Sequence, residues 1–440
     1  MLSLESALLL LPLSPAIPVV DLAPSAQEQR VSLTPTALLE WASRRETSDP
    51  VLSERAYRLL CNDPAAQVRA EARYRLAALL AGQGKLRDAA TLLRRLLDEQ
   101  PGAQRVRLDL AGLQERLGDE DGARRTLRAA SAGPLPKEIS RLVDKWSEAL
   151  RSRRPAGLSI EVAIAPDSNI NRATRSDRLS TVLGDFAIDP QGKARSGLGV
   201  ASSASAFRRF SVGDDLSLIA RVTGAGRFYR DKQFNQVDLE AALGAEGAFG
   251  KARVSLEAAV GQGWFGGVPF IRQVHATASF RRPVGRRAAI GVKLTGSAID
   301  NRLNRLQDGR SVLGELSLER ALSSRSGVLL SAAGERFRAR DPGYRFGRWE
   351  AGATGWQDLG RVTLFGGVAL GSLRGDESLA LFAAARSDKL MRLSIGGTFR
   401  QLGFAGLAPF VRVTHERNDS NIAFYAYRRT RSEVGFRSAF

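Results

Sequence analysis

Leu158-Ser159-Ile160-Glu161-Val162-Ala163-Ile164 alternates, residue by residue, between an apolar side chain and a polar or small one. Successive side chains of a β-strand point to opposite faces, so this stretch reads as a strand with one apolar face. The same period of two recurs at Leu216, Leu218, Ala220 and Val222, at Val254, Leu256, Ala258 and Val260, at Val274, Ala276, Ala278 and Phe280, at Ile290, Val292 and Leu294, and at Met391, Leu393, Ile395 and Phe399. It persists over about 280 residues with neither a helical interruption nor a linker. A soluble sandwich also alternates, but one of this length would divide into domains.

The breaks and the end of the pattern point to a membrane. Tight breaks such as Gly213-Asp214-Asp215 and Pro283-Val284-Gly285-Arg286 mix with longer polar stretches at 175–196 and 298–309. Transmembrane β-barrels have this asymmetry of short periplasmic turns and longer outer loops. The chain finishes Val434-Gly435-Phe436-Arg437-Ser438-Ala439-Phe440. Such an alternating last strand, with Phe436 and Phe440, is the signal read by the barrel assembly machinery. With membrane strands of about 9–11 residues plus connections, residues 157–440 would form an antiparallel transmembrane β-barrel of roughly 14 strands.

Composition agrees with that reading. Charged residues make up 25% and hydrophobic residues 43%, the balance of a soluble protein. A barrel in lipid shares it, because every second residue faces a polar lumen. Beyond the first residues no apolar run reaches the 18 or so needed for a membrane helix. The net charge is +19, yet residues 1–156 hold 24 basic and 20 acidic side chains, so +15 falls in the strand region. These charges are spread along alternating strands and not gathered in a patch or helix, which argues against a nucleic-acid partner. They fit a cationic lumen or attraction to anionic lipid of the outer membrane. The single cysteine, Cys61, excludes an internal disulfide framework and reads as a packed helix residue.

Residues 35–152 have a helical period. Leu76, Ala77, Leu79, Gly84 and Ala89 recur 34 positions later as Leu110, Ala111, Leu113, Gly118 and Ala123, and Leu93 recurs as Leu127. That is the tetratricopeptide (TPR) period. The leucines would form a shared face, the glycines the turn between antiparallel helices, and the alanines the close approach. Two clear units follow a degenerate helix pair punctuated by Pro35, Pro50 and Pro64. Arg73, Arg75, Arg105, Arg107 and Arg116 are expected on exposed faces. Lys137 to Leu150 reads as a further amphipathic helix, and the basic segment 151–157 as the boundary before the barrel. Residues 1–34 read as a degenerate export signal or disordered segment: Ala7 to Leu13 is apolar, but Glu5 precedes it and the first basic residue is Arg30. The fold class expected is thus α + β and multidomain.

At the end of the first strand stands Asp167-Ser168-Asn169-Ile170-Asn171-Arg172. Pro166 is expected to stop the strand, and the Asp, Ser and Asn side chains to bond nearby backbone in a capped turn. Far downstream comes His415-Glu416-Arg417-Asn418-Asp419-Ser420-Asn421-Ile422, then Tyr425, Tyr427 and Arg428-Arg429 before the last strand. These two motifs, at the two ends of a barrel that follows TPR helices, resemble the surface lipoprotein assembly modulator (Slam) family. The resemblance marks Asp167, Ser168, Asn169, Ile170, Asn171 and Arg172 as a barrel-start motif, and Arg417, Asn418, Ser420, Asn421, Tyr425 and Tyr427 as its C-terminal counterpart. It implies an outer-membrane translocator that delivers lipoprotein or related secreted protein to the cell surface, with the periplasmic TPR part engaging cargo or chaperone. The alternative is a TPR-scaffolded porin or exopolysaccharide export channel. A soluble TPR-containing β protein is a third class, against which the closing Phe strand argues. No catalytic, cofactor or metal site is expected. The two histidines, His275 and His415, lie far apart, and no phosphate-binding glycine loop is present.

Overall fold

In lipid every backbone N–H and C=O must find an internal partner, and a sheet of period-two strands meets that demand by closing on itself. The computed structural model describes residues 32–117, 119–131, 156–213, 216–323, 325–359, 362–399, 402 and 407–438. Its strands are β1 (Ala156–Asp167), β2 (Arg178–Thr181), β3 (Gly184–Ala187), β4 (Gly197–Ser211), β5 (Leu216–Tyr229), β6 (Gln236–Phe249), β7 (Ala252–Phe265), β8 (Val268–Val284), β9 (Ala288–Asn301), β10 (Gly309–Ala321), β11 (Ser326–Ala339), β12 (Phe346–Leu359), β13 (Val362–Gly375), β14 (Ser387–Thr398), β15 (Leu407–Ser420) and β16 (Tyr427–Ser438). Fourteen of them form a closed antiparallel barrel in which each pairs with its sequence neighbours and β1 closes on β16. β2 and β3 form a separate hairpin within the loop between β1 and β4.

Alternation sets the two faces. In β1, Leu158, Ile160, Val162 and Ile164 are 38–65% exposed, whereas Ala163 and Ala165 are 3% exposed. The first set faces outward to lipid and the second faces the lumen. Aromatic rings mark both rims of the outward face. Phe210, Phe249 and Phe436 lie toward the short-turn end, and Phe228 and Trp349 toward the long-loop end.

Three sequence expectations change. Pro166 does not stop β1, which runs on to Asp167. It keeps its register with Leu198 of β4, and the N–H it lacks is not needed where the pairing with β16 is interrupted. The stretch 175–196 contains the β2–β3 hairpin and is not a plain loop. Of the stretch 298–309, residues 298–301 belong to β9 and Gly309 to β10, leaving residues 302–308 as the connection.

Among the described residues six helices precede the barrel: α1 (Pro35–Arg45), α2 (Pro50–Leu60), α3 (Ala66–Gly82), α4 (Leu86–Glu99), α5 (Gln104–Leu117) and α6 (Glu120–Ser131). Thr34 and Asp49 cap the first two, accepting hydrogen bonds from Ala37 N (3.3 Å) and Leu52 N (3.0 Å), and a proline occupies the first helical position of each. The α3–α4 and α5–α6 pairs are the two repeat units. Leu76, Ala77, Ala89, Leu110, Ala111, Leu113 and Ala123 are buried, and Leu79 packs partly buried against them. Gly84 turns the chain with φ +79°, a conformation that side chains with a Cβ rarely adopt. Cys61 is buried at the end of α2.

Two of the arginines expected at the surface are not there. Arg107 is 5% exposed, and its guanidinium donates to Pro101 O (2.8 Å) and Gln104 Oε1 (3.0 Å). Arg73 donates to Cys61 O (3.1 Å) and Glu99 Oε1 (2.7 Å), tying α3 to the end of α2 and to α4. Spacing placed both on an outer face; the end of α2 and α4 cover Arg73, while Arg107 is covered where α5 faces the barrel mouth, near Asp358 and Arg325. Gly118, Phe440, the apolar start, the 137–150 segment and the basic boundary up to residue 155 lie outside the described residues.

The helices sit at the short-turn mouth of the barrel. Arg128 of α6 pairs with Glu319 of β10, with both side chains largely buried. A cavity of about 320 Å³ between the two bodies is lined by Arg94, Arg107 and Gln114 from the helices and by Trp356, Thr363 and Thr398 from the barrel. Short turns are the periplasmic end of an outer-membrane barrel, so the repeat array is on the periplasmic side.

Candidate functional site: the closing seam and the loop that crosses it

β1 is the first barrel strand, and its two edges are paired unequally. Toward β4 its register is continuous, from Ala156↔Arg208 to Asp167↔Gly197. Toward β16 it runs Glu161↔Arg437, Val162↔Phe436, Ala163↔Gly435 and Ile164↔Val434, skips Ala165 and Pro166, and resumes at Asp167↔Arg431. A Cβ on Gly435 would lie 2.0 Å from Val162 O, so the two strands approach closely only because that position is glycine.

Side chains close what the backbone leaves open. At the periplasmic end Ile160 N donates to Ser438 Oγ (2.8 Å). At the outer end Ser168 N donates to Thr430 O (3.0 Å), and Thr430 N returns a bond to Ser168 Oγ (2.8 Å). Asp167, buried in the lumen, accepts from Arg429 Nε at 3.0 and 2.9 Å and also from its Nη2. Hydrogen-bonded pairs of this fork geometry are the strong ones.

The rest of the barrel-start motif organises the loop that leaves β1. Asn169 is fully buried. Its Nδ2 donates to Ala173 O (2.8 Å) and to Arg428 O across the seam (3.1 Å), and its Oδ1 accepts from Ala173 N (3.0 Å). Asn171 bridges the loop to its returning arm, donating to Lys193 O (2.8 Å) and accepting from Arg195 N (3.1 Å). Ile170 packs beside Gly197, where β4 begins. Arg172 takes a left-handed φ of 49° and reaches Glu416 of β15 (3.3 Å). Each motif position therefore touches backbone or charge on the opposite flank of the seam or on the far arm of the loop. The reading as a local capped turn accounts for only part of these bonds.

The C-terminal motif holds the neighbouring junction. Asn418 Nδ2 donates to Asp388 Oδ2 (3.1 Å) and Tyr425 O (2.8 Å). Asn421 accepts from Ser387 N (2.7 Å) and donates to Ala385 O (2.8 Å), while Ser420 Oγ accepts from Ile422 N (3.2 Å). Arg417 pairs outward with Asp419 (2.9 Å). Arg386 lies 3.7 Å over the Tyr425 ring and binds Asp388. Tyr427 stands opposite Asn418 in the ladder. The two motifs meet through the lumen: Glu416 pairs with Arg172 of the first loop and with Arg392 (3.6 Å), which also holds Glu350 (2.9 Å).

The lumen carries mixed charge instead of the cationic lining expected. Arg412 bridges Glu433 (2.6 Å) and Glu161 (2.7 Å), Arg209 and Arg253 share Glu246, Arg221 meets Glu257, and Lys293 meets Glu315. Around the last three acids lies a cavity of about 930 Å³. Sequence reading missed Glu161, Arg412, Glu433, Arg386, Asp388 and Tyr229, whose hydroxyl lies 3.5 Å from Asp167 Oδ2. The available signal was parity: a charged residue at an inward position of an alternating strand must find a partner inside.

A family model, surface lipoprotein assembly modifier, matches residues 158–440, the whole barrel including both motifs. The chain belongs to the surface lipoprotein assembly modifier family. A tetratricopeptide repeat family matches residues 80–134, which covers the second helix pair and part of the first. Surface lipoprotein assembly modifier 1 of Neisseria meningitidis serogroup B is 24% identical over 379 residues, covering 82% of this chain and 74% of that protein. Among solved structures, a bacterial polysaccharide outer membrane secretin is 12% identical with a TM-score of 0.35, over 64% of this chain and 98% of that one. OmpT of Vibrio cholerae, in a loop-deletion form, is 9% identical with a TM-score of 0.35, over 65% and 99%. Likenesses that low give no guide to function. As a surface lipoprotein assembly modifier family member with a closed 14-stranded barrel, the chain is an outer-membrane protein. Its two histidines are placed apart: His275 lies in the lumen 3.7 Å from Glu240, and His415 bonds Thr430 across the β15–β16 ladder (2.9 Å).

Proposed function

We propose that this chain is an outer-membrane translocator that delivers lipoprotein, or a related secreted protein, to the cell surface. On this reading it is not an enzyme. The observation that carries the proposal is the docking of the repeat array on the periplasmic mouth, where Arg128 meets Glu319 and a polar cavity opens between helices and barrel. Repeat arrays of this kind present a concave surface to protein segments. A cargo or its chaperone held there stands at the barrel entrance. Family membership supports lipoprotein as the cargo class. The barrel-start and C-terminal motifs then act together as the outer clasp of the seam. Insertion of the barrel itself depends on the assembly machinery that reads the Phe436 strand.

The test is reconstitution of the full chain into liposomes with a candidate lipoprotein supplied on the helical side. Cargo becoming protease-accessible on the opposite side is the expected result. If cargo stays protected while sugars or ions pass freely, the chain is a porin or export channel instead.

A further inference from the structure

The charge excess that the lumen does not account for has a location. On the outward face of β10 to β13 the apolar positions Leu316, Leu330 and Leu370 give way, toward the long-loop rim, to Trp349, which is 54% exposed. Indole rings at this height mark the membrane–water interface. The next outward positions are arginines. Arg336 on β11 and Arg374 on β13 are both in register with Gly347 of β12, and one outward step beyond, Arg310 of β10 stands directly opposite Arg338 of β11. All four are exposed. Asp376 binds Arg336 through Nη1 (2.7 Å) and a second contact to Nη2, and reaches Arg338 only at longer range. Among the described residues, Arg310, Arg338 and Arg374 hold no carboxylate.

Like charges directly opposite in a ladder are destabilising. Strand spacing of about 4.8 Å and a rise of about 3.3 Å per residue keep the three unpaired guanidiniums within reach of one anionic headgroup. Across the barrel the same level is apolar: Leu198 and Val200 of β4, Phe228 of β5 and Leu239 of β6 point outward there. Exposed basic side chains continue around the same rim at Arg272 of β8, Lys389 of β14 and Arg428 of β16, so the arginines belong to a basic arc that β4 to β6 do not share at this level.

We propose that this face binds the phosphorylated headgroup of an outer-leaflet glycolipid, lipid A, with its acyl chains along the apolar positions below. Arginine forks match phosphate oxygens bidentately, and the depth just beyond Trp349 is that of headgroup phosphates. The site rests on the outer-membrane assignment but is independent of any cargo.

The test uses the full chain purified free of lipopolysaccharide in neutral detergent, with lipid A, phosphatase-treated lipid A and inorganic phosphate as separate probes. Lipid A is expected to co-elute with the protein and raise its melting temperature, whereas the dephosphorylated lipid and inorganic phosphate do neither. The triple variant R310Q/R338Q/R374Q should fold and lose tenfold or more in lipid A affinity. Arg320, exposed on the short-turn rim of β10, supplies the control: R320Q should bind as the parent does. Equal binding by the triple variant, equal loss in R320Q, or equal protection by inorganic phosphate would each overturn the glycolipid site.

Discussion

Asp167 and Arg429 stand 262 positions apart in the chain and meet inside the barrel, with the Arg429 Nε 2.9 Å from the nearer carboxylate oxygen. Their side chains are 0% and 3% exposed. The pair spans the closing seam where β1 has just lost two rungs of its ladder with β16. Its strength therefore bears on barrel closure more than on any single strand.

Removing one partner leaves a buried charge uncompensated, at a cost of about 3–5 kcal/mol. Asp167→Ala should accordingly lower the urea midpoint of the folded barrel in detergent, read from its heat-modifiable electrophoretic mobility. The double variant Asp167→Ala/Arg429→Met should recover most of that loss, since neither charge then remains buried. A single variant that melts like the parent would show that the pair contributes nothing to closure.

The two asparagines of the first motif should separate by burial. Asn171→Ala removes two bonds, each worth roughly 1 kcal/mol, that hold the outgoing and returning arms of the loop together. Trypsin is expected to cut at Arg172, Arg175 or Arg178 several-fold faster on intact cells, with the barrel still assembled. Asn169→Ala leaves buried backbone groups at Ala173 and Arg428 unsatisfied and should depress barrel stability itself. If cargo display falls in Asn171→Ala while mobility is unchanged, the loop serves export and not merely assembly.

Arg128 offers a way to loosen the helices without touching the barrel. Glu319, its partner, also holds Arg281 at 2.9 Å and so stays paired when Arg128 is lost. Arg128→Ala should make α5 and α6 several-fold more sensitive to limited proteolysis and leave the barrel melt unchanged. Protection equal to the parent would mean that the array is held by other contacts.

The helical array should be acid-labile. The Arg58 hydrogen bond, aided by Lys85 and opposed by burial, holds the Glu54 carboxyl below its usual value of 4.5. A lowered folded value means that the stability it adds is complete above that usual value and is lost as pH falls through the folded one. The far-ultraviolet helical signal of the full chain is expected to begin declining below about pH 4.5. In Glu54→Gln the decline should be shallower and start from a lower plateau; an unchanged profile would place the acid sensitivity elsewhere.

Much of the architecture was legible because it is local. Leu158 to Ile164 shows its two faces within seven residues, since period-two alternation is a property of the strand alone. The 34-residue recurrence from Leu76 to Ala123 marks stacked helix pairs for the same reason: each unit repeats the faces that its neighbour must cover. Even the count of about fourteen strands follows from segment length. What the chain could not declare were contacts made by closure. Pro166 reads as a strand end locally, but it is tolerated within β1 because the pairing with β16 is interrupted there. Arg107 reads as a surface residue by spacing, but the barrel mouth that α5 faces buries it near Asp358 and Arg325. The partners of Asp167, Asn169 and Glu416 lie hundreds of positions away, and the register that brings them together is set by how the whole sheet tilts and closes. Alternation determines that a side chain points inward; only the closed barrel determines which charge waits for it there.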